Sequence, residues 1–320
     1  MDFSHIQPTA LWQHFAALNA VPRPSKKEER VIAFMKAFGQ NLGLTTIVDQ
    51  AGNVIIKKAA TAGMEDRQTV ILQSHLDMVH QKNASTFFDF DQQGIEMYQD
   101  GDWIRAKGTT LGADNGIGVA AIMALLSSTD IPHPALEAFF TIDEETGMTG
   151  AKEMDASLLS GTILLNLDTE DDDELSVGCA GGIDTNTSYT YQEVPIQNGF
   201  STLEIQLSGL LGGHSGMDID KGRGNANKWM ARLLWELSHE QHIQLLHFDG
   251  GSLRNAIPRE ATAIIAVQDT VKALTQINAF AHILKDEYTL IEPHFILKAE
   301  SIQTSLHALS DLDFKKIIAT

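Results

Sequence analysis

The chain has 320 residues, with 42 acidic against 23 basic side chains and a formal net charge of −19. Such an acidic balance argues against a nucleic-acid or anionic-membrane partner bound through a general basic field. One cysteine, Cys179, excludes an internal disulfide framework, and no apolar run approaches the ~20 residues of a membrane span.

Residues 9–20 read as an amphipathic helix. Ser25-Lys26-Lys27-Glu28 has the form of a capping box opening a second helix that runs to about Gly43. Short strands near 45–49 and 53–57 flank Gln50-Ala51-Gly52 as a hairpin. Thr69 to Ser74 is a buried strand reaching His75, and 95–98 with 103–106 form a second hairpin. A mostly apolar helix spans Asn115 to Leu126. Strands Ala135–Ile142 and Ile163–Leu167 follow, separated by a helix near 148–159. Strands alternating with helices imply an α/β unit, a mixed sheet with helices on both faces, whose ligands collect beyond the carboxyl ends of the strands.

Composition shifts after Cys179-Ala180-Gly181-Gly182. An exposed linking strand is expected over 184–193. Strand 202–208, a Gly-rich loop 209–224, helix 225–239, strands 243–248 and 261–267, helix 270–286 and strand 294–299 follow. This order gives a second, α+β domain of β-α-β-β-α-β type. The domains are expected at 1–182 and 183–320. The start of the chain has no signal-peptide pattern, and the single cysteine, read as a small packing residue, suits a reducing cytoplasm.

Four polar segments fall at strand ends or helix starts: Ser74-His75-Leu76-Asp77, Gly112-Ala113-Asp114-Asn115-Gly116, Asp143-Glu144-Glu145-Thr146-Gly147 and Leu165-Asn166-Leu167-Asp168. Each alone reads as a turn, a cap or a solvated surface group. Together they deliver the His75 imidazole and the Asp114, Glu145 and Asp168 carboxylates to one sheet edge. That is the donor chemistry of a two-metal hydrolase, with Glu144 beside a ligand and able to take a proton from water. His80 and His133 read as ordinary surface or core histidines, and the acidic run 170–174 as a solvated loop.

In this order the motifs resemble the M20 family of co-catalytic zinc peptidases. Within it they are most similar to the aminoacyl-histidine dipeptidase (cytosol non-specific dipeptidase, peptidase D) branch. The similarity continues through Gly178-Cys179-Ala180-Gly181-Gly182, Gly212-Gly213-His214-Ser215-Gly216 and Arg254-Asn255-Ala256-Ile257-Pro258-Arg259, to about residue 300. It implies a zinc-peptidase (phosphorylase/hydrolase-like) sheet with a lid domain and two Zn²⁺ per site, Co²⁺ or Mn²⁺ being substitutes. The implied substrate is an unblocked dipeptide, Xaa-His preferred, and the implied assembly a homodimer through the lid. The resemblance further implies His75, Asp114 and Asp168 on one zinc, Asp114 and Glu145 on the second, and a cis Asp114–Asn115 bond. Asp77 would orient His75, Glu144 would act as general base, and His214, Asn255 and Arg259 of the lid would meet substrate or oxyanion.

Family members are longer, and carry a further histidine on the second zinc in a C-terminal segment. By this reading the chain is C-terminally truncated and its lid incomplete. The alternative is then a weakly active or inactive metal-binding remnant; another M20 activity, on tripeptides or N-acyl amino acids, is a third possibility.

Overall fold

The computed structural model describes residues 3, 5–169, 173–178 and 181–319. The chain divides into two compact units, Met1–Cys179 and Ala180–Thr320. Cys179, Ala180 and residues 170–172 lie outside the described residues, and with them the expectations for Cys179 and most of the acidic run.

The first unit runs α1 (Thr9–Asn19), α2 (Glu29–Asn41), β1 (Thr45–Val48), β2 (Val54–Lys58), β3 (Val70–His75), β4 (Met97–Asp100), β5 (Trp103–Ala106), α3 (Ala113–Ser127), β6 (Leu136–Thr141), α4 (Thr149–Lys152) and β7 (Ile163–Asn166). The main sheet has the order β1-β2-β6-β3-β7. β1, β2 and β6 pair antiparallel, whereas β6, β3 and β7 are parallel. One face buries Val54, Ile56, Leu72, Ala138 and Phe140 against Leu18, Val31, Met35 and the apolar side chains of α3. The other face buries Ile55, Ile71 and Phe139 against Met154, Leu158 and Leu159. α3 is apolar around most of its circumference because it packs on α1 as well as on the sheet. β7 forms an edge, with Ile163, Leu164 and Leu165 exposed by 40%, 53% and 51%.

Several local expectations differ. Ser25 does not cap a helix: α2 begins at Glu29, and the Ser25 hydroxyl is taken by Asp77. The helix near 148–159 is only α4 followed by a single 3₁₀ turn over Ala156–Leu158. Asp155 breaks it by accepting the Ser157 amide at 3.0 Å, which restarts the turn.

Glu137 on β6 lies opposite Lys57 on β2 and accepts its ammonium at 2.8 Å. The Ser160 and Gly161 amides also donate to it, at 2.8 and 2.9 Å. Burial alone would raise this carboxyl, but Lys57 and these amides outweigh it and hold the pKa at about 2. A depressed carboxyl stabilises the fold above its unfolded pKa and loses that contribution as pH falls from about 4.5 toward 2. Glu137→Gln is expected to cost about 2 kcal/mol at neutral pH. Urea unfolding should show that difference vanishing near pH 2.

The second unit runs β8 (Glu193–Val194), β9 (Ser201–Ser208), α5 (Ala226–Glu240), β10 (Ile243–Gly250), β11 (Ala261–Val267), α6 (Thr270–Tyr288), β12 (Ile296–Ile302), β13 (Ala308–Leu309) and α7 (Asp311–Ala319). Its antiparallel sheet, β10-β11-β9-β12, buries Leu203, Ile205, Ala263 and Ile265 under α5 and α6. Thus β9 to β12 follow the β-α-β-β-α-β order. The expected linking strand over 184–193 is instead irregular chain that ends in β8, which pairs with β13. Most side chains from 181 to 192 are exposed, so the alternating pattern there has no sheet face to bury.

Candidate active site

Three neighbouring parallel strands end at one edge of the first sheet. β3 finishes on His75, β6 leads into Asp143-Glu144-Glu145, and β7 leads into Asp168. The start of α3 brings Asp114 to the same edge. His75 Nε2 lies 3.0 Å from Asp114 Oδ1, 3.8 Å from Asp168 Oδ1 and 4.0 Å from Glu144 Oε2. Its Nδ1 sits 3.1 Å from the Asp77 carbonyl, an acceptor, so Nδ1 carries hydrogen and Nε2 faces the acids. His75, Asp114 and Asp168 form one group able to hold a cation, and His75, Glu144 and Glu145 another. His75 is the shared imidazole of both. The edge remains open to solvent, with the Asp114 side chain 56% exposed.

Asp77 is fully buried behind this edge. Its carboxylate lies 3.3 Å from His75 Nδ1 and accepts the Ser25 hydroxyl at 2.7 Å. It also accepts the Glu144 and Glu145 amides at 3.0 and 3.2 Å. One side chain therefore orients the imidazole and fixes the turn presenting both glutamates. Burial would raise the Asp77 carboxyl, but His75 and the Ser25 hydroxyl hold it below its usual range.

Glu144, Glu145 and Asp168 face the opposite balance. Burial, then Asp114, pushes Glu145 up to about 8. Burial also raises Glu144 and Asp168. Burial pushes His75 down, but Asp114 and Asp77 overcome it and lift the imidazole to about 11. A cluster that draws a proton onto its histidine and resists ionising its carboxylates is short of positive charge. One imidazole with several carboxylate oxygens fits a divalent cation such as Zn²⁺. Because such an ion would displace the His75 proton, its affinity would rise with pH.

The Asp114–Asn115 peptide is cis. Asn115 Nδ2 donates to the Leu167 carbonyl at 2.7 Å and to Asp168 Oδ1 at 2.8 Å, so the residue after one acid holds the other in place. Sequence reasoning gave Asn115 no such role. It also missed a layer beneath the turn of β6. Asp143, at φ 55°, accepts Lys26 Nζ and the Thr146 and Thr149 hydroxyls. Glu28 accepts the Lys26 and Asp143 amides at 2.9 and 3.1 Å. The Ser-x-x-Glu spacing that imitated a capping box was the available signal.

His214, Asn255 and Arg259 belong to the second unit, where the structure brings their segments together. His214 forms an antiparallel bridge with Ala256, and the Ser215 amide donates to the Asn255 carbonyl at 2.8 Å. Arg259 Nε donates to the Leu210 carbonyl at 3.0 Å. The Gly216 and Met217 amides donate to His214 Nδ1 at 3.1 and 3.2 Å, which leaves Nε2 to carry the ring hydrogen. Asp218, itself paired with Lys221 and Arg223, accepts the His214 amide at 2.8 Å. Glu292, buried, accepts the Leu211 and Gly224 amides at 2.8 Å each and closes the base of this loop.

Residues 205–290 match the peptidase dimerisation domain of the M20 type. Over 312 residues the chain is 43% identical to the cytosol non-specific dipeptidase of Escherichia coli (strain K12), spanning 96% of this chain and 64% of that protein. It is similar at 43% identity to the crystal structure of aminoacylhistidine dipeptidase from Vibrio alginolyticus, with a TM-score of 0.56. The chain is similar to peptidases of the M20 type over nearly its whole length. That match covers all of this chain and 66% of the Vibrio chain, so the M20 sequence here spans about two thirds of its relatives' length. The uncharacterized protein YqjE of Bacillus subtilis (strain 168) is 27% identical over 277 residues, 82% of this chain and 66% of that protein. Among the described residues, no helix is long and apolar enough to cross a membrane.

Proposed function

We propose that this chain is a metal-dependent peptidase that hydrolyses unblocked dipeptides, Xaa-His among them, in the cytoplasm. The observation that carries the reading is the convergence of two cation-holding groups on His75 at the ends of parallel strands. The 43% identity to a protein named as a dipeptidase supports the substrate class. His75, Asp114 and Asp168 would hold one ion, and Glu145 of the second group, with Asp114, would hold another, with Zn²⁺ the metal and Co²⁺ or Mn²⁺ substitutes. When bound, such ions polarise the substrate carbonyl and make water a better acid.

The residues do the rest. Glu144 takes the proton of the attacking water as its oxygen bonds to the peptide carbonyl carbon. It returns that proton to the leaving amine nitrogen as the C–N bond breaks. Its raised affinity for a proton suits both steps. His214, Asn255 and Arg259 would be hydrogen-bond donors to the substrate or to an oxygen that gains charge. A homodimer through the second unit fits the dimerisation-domain match.

Hydrolysis of Xaa-His dipeptides by purified protein should appear on adding Zn²⁺, Co²⁺ or Mn²⁺ and vanish on chelation. N-blocked dipeptides and tripeptides should survive. Cation binding without turnover at any metal concentration would sink the enzymatic reading for this chain.

A further inference from the structure

Arg23 is 1% exposed, which is costly for a charge unless its donors are used. It sits in the link between α1 and α2, and sequence reasoning gave this residue no role. Its Nη1 donates to the Leu76 and Asp77 carbonyls at 3.0 Å each, on the turn that follows His75. Its Nη2 donates to the Gly112 carbonyl, which immediately precedes α3 and Asp114, and to Asn19 Oδ1 at 2.9 Å. Asn19 in turn donates to the Leu111 carbonyl at 3.1 Å. One planar guanidinium therefore bridges the two chain segments that carry His75 and Asp114.

The space for it is carved by two glycines. A Cβ on Gly112 would lie 2.5 Å from Arg23 Nη2, and one on Gly116 would lie 2.7 Å from the same atom. Both glycines flank Asp114, so the bare backbone around that acid is the socket of the guanidinium. The neighbouring Pro24 bridges Met78, and Ser25 donates to Asp77, so the whole link lies along the underside of the ligand turns.

We propose that Arg23 is a positioning residue for the cation site, setting the spacing between the His75–Asp77 turn and the Gly112–Asp114 turn through its forked hydrogen bonds. The inference rests on the reading of this edge as a cation site. A lysine keeps the charge but is a point donor and cannot span both turns as a fork.

The test is Zn²⁺ titration calorimetry on the full chain, with thermal unfolding and dipeptide kinetics alongside. Arg23→Lys should weaken Zn²⁺ binding about 10-fold or more. kcat should fall with it, while KM at saturating Zn²⁺ moves less than about two-fold. Gly116→Ala keeps Arg23 and introduces a residue helices favour, yet crowds the guanidinium; it should reproduce a smaller loss of Zn²⁺ affinity. Arg23→Lys that melts earlier but binds Zn²⁺ as tightly as the unaltered protein overturns the proposal. If Arg23→Lys does not fold, unchanged affinity in Gly116→Ala overturns it instead. Should the unaltered chain bind Zn²⁺ yet hydrolyse nothing, the peptidase reading fails and the affinity comparison still decides the role of Arg23.

Discussion

Glu144→Gln is expected to lower kcat about 1000-fold, roughly 4 kcal/mol of barrier, while the number of ions bound per chain stays unchanged. Glutamine keeps the size of the side chain and removes its ability to carry a proton. The backbone amide of Glu144 donates to Asp77, so the turn itself should not move. Geometry alone leaves two roles open, because Glu144 lies with Glu145 and His75 in a group that could hold an ion. Metal counting by mass spectrometry separates them: loss of an ion in Glu144→Gln makes this acid a ligand, and retention with loss of turnover makes it the base.

Asp77→Asn should behave in the opposite manner, weakening Zn²⁺ affinity about 100-fold. The carboxylate accepts one hydroxyl and two amides in a site with no exposure. An amide nitrogen in place of one oxygen would face an N–H donor, at a cost of about 1–3 kcal/mol of stability. It would also loosen the ring of His75, whose Nδ1 lies 3.3 Å from that carboxylate. Calorimetric titration and thermal unfolding read both effects; Zn²⁺ affinity equal to that of the unaltered protein refutes this account of Asp77. Affinity lost in one variant and turnover lost in the other would assign orientation and proton transfer to different acids.

The site was legible because its parts obey local rules. His75 and Glu145 each follow an apolar run that forms a buried strand, Asp168 follows one that forms the edge strand β7, and parallel strands place such residues at one edge. The β-α-β-β-α-β order of the second unit was readable for the same reason, from alternation and helical spacing. Arg23, Ser25 and Asn115 were not readable, since their partners lie far away in sequence and no periodicity marks them. Ser25 even imitated a cap, because the Ser-x-x-Glu pattern is identical whether the hydroxyl meets a helix amide or a carboxylate 52 residues on. The pattern near 148–159 misled because Asp155 and Ser157 satisfy each other locally, which competes with a continuous helix.

The stitching around His214 bears on how rigid this part of the second unit is. The segment from Leu210 to Gly224 is tied at its base by Glu292 and across its middle by Asn255, Ala256 and Arg259. So tied, the segment is built as a stiff plate and not as a flexible flap. The His214 imidazole is thereby held in fixed register with the Asn255 and Arg259 segments.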